Sequence, residues 1–352
     1  MIPALVGSVL LAVLTLYVTF GGADFGAGFW NLVAGGDTRG ERPRRLIEDS
    51  ITPVWESNHV WLVFALVLFW TAYPDAFAAV ASADAVPLWL AAIGVVLRGA
   101  AFAFSKETHR LSLRRALGAI FALSSLMTPF FMGCVVGGIA SGAVSANATR
   151  SHSASWTGAT SIFCGFLFVG ACAYLAAVYL VHEATRRQDS GLQIYFIHRA
   201  QLAGIATGAL SLVTLGELRG ANGQLFDRLI GRALPLVVLA GACGLIVLAK
   251  LTNRGLRGLR FVAWLGVTAV VWGWGVAQYP TVLPGTNLIL SNAGAPTATL
   301  DTLLVLAVLV LVVVTPAFSF LFWLQGRQLL SSEESEPTTP LPNRPFHREG
   351  SP

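Results

Sequence analysis

The chain has 352 residues, of which 55% are hydrophobic and 12% charged, with a mean hydropathy of +0.68 and a formal net charge of +5. Soluble domains carry about 25% charged residues, so this composition excludes a soluble globular protein and describes a polytopic membrane protein. The basic residues lie in short loops between apolar runs, so the net charge reflects topology in the lipid membrane and not nucleic-acid binding.

Nine apolar runs are legible, near 3–34, 58–73, 78–104, 115–141, 157–182, 197–217, 232–250, 259–283 and 299–325. They predict an all-α bundle of about nine transmembrane helices. Nine spans leave room for two four-helix groups plus one peripheral helix. The first run has no basic n-region and no small-residue cleavage site, and reads as a retained helix, not a signal peptide. One charge, Asp24, lies inside it, within Gly21-Gly22-Ala23-Asp24-Phe25-Gly26-Ala27-Gly28-Phe29-Trp30. Gly22, Gly26 and Gly28 remove side chains there, so another helix can approach closely. The segment Arg39–Ser57 mixes Arg, Glu and apolar residues and predicts a short helix at the cytoplasmic surface. Thr52–Trp61 then leads into the second run and carries Trp55, Glu56, Asn58, His59 and Trp61. The third run holds Arg98 about two turns before its polar end at Ser105-Lys106-Glu107. Ser141–Ser155 reads as a small, polar external loop. Pro280, Pro284 and Gly285 break the eighth run, and Thr299 is a candidate cap for the ninth. Ser331–Pro352 is rich in Ser, Glu, Pro and Thr, a disordered cytoplasmic tail that leaves 1–330 as the transmembrane domain.

Loops after the odd-numbered runs, together with the tail, hold 18 of the 23 basic residues. The intervening loops hold only Arg150, Arg219, Arg228 and Arg232. This alternation predicts the N-terminus outside and the C-terminus in the cytoplasm.

Helix geometry brings the charges to one depth. Asp24 lies about 30 Å along the first run at ~1.5 Å per residue, near the cytoplasmic boundary of the hydrocarbon. Glu56 stands at the cytoplasmic start of the second run, and Arg98 approaches that face on the third. Two readings stay open: a polar cluster that moves protons or anchors a headgroup, and an ion pair that locks the bundle. His59 has no second ligand in sight and is expected to hydrogen-bond within the cluster rather than hold haem. Cys134, Cys164, Cys172 and Cys243 fall in apolar runs without a C-x-x-C pair, so no metal site is expected. The alternative function is a secondary transporter with a polar site between helices 1–3.

Gly22–Gly28 resembles the D-G-F-D-x-G-x-G signature of subunit II of the cytochrome bd-type quinol (ubiquinol) oxidases. Ile51–Leu62 is similar to that family's I-x-P-x-W-[DE]-x-N-x-V-W-L block. Arg98, Phe102 and Ser105-Lys106 resemble its third-helix ending, and Tyr279-Pro280 with Pro284 the break before its last helix. The resemblance implies a nine-helix subunit in the bacterial plasma membrane, paired with a larger subunit I, in a complex that oxidises quinol and reduces dioxygen to water. In the family, haem b and haem d belong to subunit I, and some members hold a structural quinone, so no cofactor is expected on this chain alone. Gly22, Gly26, Gly28, Trp55, Asn58 and Trp61 are then helix-packing signature positions. Gly21 stands where the signature has its first acid, Ala103 where some members carry another, and Glu56 where Asp is common. Asp24, Glu56 and Arg98 are what remains of the charged set.

Overall fold

A computed structural model describes residues 1–35, 37–51, 55–108, 110–144 and 155–326. Among these the only β-type pairing is one isolated bridge between Thr281 and Ile289, and the rest is helix and turn. Among the described residues eight helices are long and apolar enough to cross a membrane, or nine if the bent pair Asn58–Ala72 and Pro74–Ala83 is one span. This is an all-α, polytopic membrane protein. It divides into two compact units, Met1–Leu304 and Val305–Pro352. The tail expected at 331–352 lies outside the described residues.

The first span is not one regular helix. α1 (Ile2–Leu16) passes through a π-helical turn (Tyr17–Gly21) into α2 (Gly22–Leu32). A surface helix, α3 (Asp37–Ile51), follows and tucks Leu46 and Ile47 into the core. α4 (Trp55–Ala72) ends at Tyr73-Pro74, where proline cannot continue a helix and pushes the residue before it towards extended backbone. Tyr73 adopts φ −135° and ψ 64°, and its hydroxyl donates to the Pro3 carbonyl at 2.5 Å. The chain turns 116° into α5 (Pro74–Ala83). The third run, expected over 78–104, is therefore cut: α6 spans Ala85–Glu107, and Asp84 both closes α5 and opens α6.

α7 (Leu111–Ser141) and α8 (Ala159–Arg186) come next, and then α9 (Ser190–Ala221), whose first turn is capped by Asp189 accepting from the Leu192 amide. His198 sits two turns inside α9. A short helix absent from the apolar runs, α10 (Gly223–Ile230), is capped by Asn222. α11 (Leu234–Thr252), α12 (Leu259–Gln278) and α13 (Thr297–Gly326) complete the order. α12 stops at Gln278, short of the expected 283, before Pro280. Thr299 lies within the first turn of α13 and is not its cap.

α8 is the most buried span. Ala173-Tyr174-Leu175-Ala176-Ala177-Val178 are buried in succession, as expected of a helix apolar on every face. The main core gathers on it from α2, α3, α9, α11 and α12. Two four-helix groups can be drawn, α1–α2 with α4, α6 and α7, and α8 with α9, α11 and α12. α8 packs across both.

Candidate functional site

The first glycine-rich turn of α2 sets the site. A Cβ at Gly26 would lie 1.9 Å from the Cys172 carbonyl oxygen, and one at Gly28 would lie 2.2 Å from Ser125 Oγ. Backbone therefore meets backbone between α2 and α8, and α7 closes on the other side. Gly22 packs beside Leu175 and Cys172. The Trp30 indole N–H donates to the Ala173 carbonyl at 2.8 Å and fastens α2 to α8.

Within that close contact, Asp24 and Arg98 meet. Arg98 Nη1 donates to Asp24 Oδ2 and Nη2 to Oδ1, each at 2.6 Å, a bidentate fork matched to a carboxylate. Nη2 also donates to the Asp24 carbonyl at 3.0 Å, and Nε donates to Ser125 Oγ at 2.9 Å. The pair is shut away from solvent, with side-chain exposures of 1% and 4%. The guanidinium carbon lies 4.7 Å from the centroid of Phe25 and 4.8 Å from that of Phe121, so ring faces supply the rest of its surroundings. The Ser125 hydroxyl donates in turn to the Phe121 carbonyl at 2.6 Å. α2, α6 and α7 are thus tied through one guanidinium.

The other residues singled out by the sequence fall around this pair. His59 lies edge-on to Phe25, ring centroids 6.3 Å apart. Asn58 is buried and donates to the Phe20 carbonyl, in the π-helical turn, at 3.5 Å. Trp61 is buried in the same helix. The side chains of Trp55 and Glu56 lie outside the described residues, so the triad expected of Asp24, Glu56 and Arg98 is described for two of its members. Among the described residues no group of three or more His, Cys, Asp or Glu side chains converges as a metal site. Sequence reasoning missed Ser125 and Phe121. The available signal was Ser124-Ser125, two hydroxyls in the middle of an apolar run.

A family model described as cytochrome bd terminal oxidase subunit II matches residues 2–325. The chain belongs to that family. A segment of 126 residues is 29% identical to cytochrome bd ubiquinol oxidase subunit 2 of Bacillus subtilis (strain 168), covering 36% of each protein. The aligned part thus spans about a third of that relative's length. The structure is similar to that of bd oxidase from Geobacillus thermodenitrificans, with a TM-score of 0.76 over 94% of this chain and 98% of that one, at 22% identity. That likeness is one of fold. Membership of the subunit II family leaves the transporter reading without support.

Proposed function

We propose that this chain is the subunit II of a bd-type terminal oxidase that couples quinol oxidation to the reduction of dioxygen to water. The observation that carries the reading is the family match over nearly the whole chain. Haem b and haem d are placed on the partner, subunit I, where they supply the electron transfer and the oxygen chemistry. This chain's own task is to complete the complex in the bacterial plasma membrane, with the N-terminus outside and the C-terminus cytoplasmic, as the distribution of basic residues supports.

For the charged cluster, the geometry favours the lock over the proton route. A carboxylate that accepts two charge-assisted bonds from one guanidinium, with water excluded, has its lone pairs engaged and its charge neutralised. Moving a proton onto Asp24 would leave Arg98 as an unpaired buried cation, which is costly. We therefore assign Asp24 and Arg98 to holding α2, α6 and α7 together. Any proton task in this region falls to His59, beside Phe25, and to Glu56, whose side chain lies outside the described residues. The test of the overall reading is quinol-driven oxygen uptake by membranes that express the haem-bearing partner with and without this chain. Uptake that needs both chains agrees with the reading; full uptake without this chain contradicts it.

A further inference from the structure

Three carboxylates are buried among the described residues: Asp24, Glu183 and Asp84. Asp24 has Arg98, and Glu183 has Arg186 at 2.7 Å and Arg187 at 3.4 Å. Asp84 has no exposed surface, and among the described residues neither of its carboxyl oxygens accepts a hydrogen bond. It shares α6 with Arg98 but lies about 21 Å away from it along the helix, at the opposite end of the bundle. A carboxylate with no cation in such a place is expensive, and the neutral acid is the form that burial tolerates.

The surroundings agree. Asp84 closes α5, its N–H donating to Val80 O at 2.9 Å, and opens α6, its carbonyl accepting from the Leu88 N–H at 3.0 Å. The positive end of one helix dipole and the negative end of the other meet at this residue, so neither supplies the missing cation. From α7, Gly138 leaves room for the carboxyl: a Cβ there would come 3.4 Å from Asp84 Oδ2. The titratable neighbour on that helix is the buried thiol of Cys134. Beside the carboxyl is Ser155, whose hydroxyl donates to Ala83 O at 3.0 Å. A carboxylic acid O–H can donate to such a hydroxyl oxygen, and a carboxylate cannot. Ser155 also lines a cavity of ≈ 320 Å³ with Ser141, Thr160 and Glu217. The cavity reaches the surface past the exposed Gly158, Glu217 and Gly220.

We propose that Asp84 is a proton-binding site, a carboxylic acid held neutral in the folded bundle that exchanges its proton with water in the Ser155 cavity. In the exchange the Ser155 hydroxyl turns from the Ala83 carbonyl and gives its proton to cavity water as the carboxyl proton passes to Ser155 Oγ, leaving Asp84 as a transient carboxylate. Return from water runs the same two transfers backwards. The site is separate from the Asp24–Arg98 pair and stands whether or not the oxidase reading holds.

Infrared spectroscopy of the assembled protein tests it, comparing wild type with Asp84→Asn at neutral pH. The expected result is a protonated-carboxyl C=O band present in wild type and lost in the variant. That band should shift on transfer to deuterated water, and Ser155→Val should slow the shift severalfold. Loss of a carboxylate band instead, or a wild-type band that never shifts, overturns the proposal. Asp84→Asn copies the shape and neutrality of the acid, so it should assemble with wild-type yield; failure to assemble would contradict a neutral Asp84. Asp84→Glu supplies a second reading, since a protonated-carboxyl band should persist there at a displaced frequency.

Discussion

Removing the Arg98 guanidinium would leave Asp24 buried beside two aromatic rings with no counter-charge. Losing one partner of a buried pair costs about 3–5 kcal/mol, so Arg98→Ala should assemble poorly and unfold at markedly lower temperature than wild type. Arg98→Lys should rescue only part of the loss, because an ammonium cannot reproduce the bidentate fork and the contact to Ser125 together. Equal thermal stability of Arg98→Ala and wild type would remove the lock. The glycines of α2 are ranked by what they touch. At Gly26 an added methyl meets the Cys172 backbone, which cannot step aside, whereas at Gly28 it meets the Ser125 side chain. Gly26→Ala should therefore be the worse of the two, by about 1–3 kcal/mol of overpacking. Thermal unfolding of the two variants checks the order.

At the scale of elements, the surface helix α3 is held to the start of α9 by Arg42, which pairs with Asp189 at 2.7 Å. The Leu192 amide, and then Arg42, hold the Asp189 carboxyl below the usual carboxylate value. A lowered folded-state pKa stabilises above the unfolded value of about 3.9 and is lost as pH falls through the folded value. Hydrogen exchange in α3 and the first turn of α9 should rise as pH falls below about 4, modestly, because the pair is partly exposed. A flat profile there would show that the pair does not hold α3. The spans themselves were legible from hydropathy, since each buries or exposes apolar surface regardless of its neighbours. The cut at Asp84 was not legible, because the 78–104 run stays apolar on both sides of it. The π-helical turn left no mark in composition. At the site, Asp24 and Arg98 stood out as charges within lipid-length runs, and their shared depth followed from helix rise alone. Which of the two acids Arg98 takes depends on the packing of α2 against α7, and Ser125 and Phe121 enter only through that packing.

For the molecule as a whole, the described residues hold the buried Asp24–Arg98 pair and, at the other end of α6, the buried acid Asp84. Under the proposed reading the haems belong to the partner, so the partner should be indispensable to the spectrum. The most direct measurement is the reduced-minus-oxidised haem spectrum of membranes expressing this chain alone, the haem-bearing partner alone, and both together. The account predicts no haem signal from this chain alone and a full bd-type signal only when both chains are present. A haem retained by this chain in the absence of its partner would contradict it.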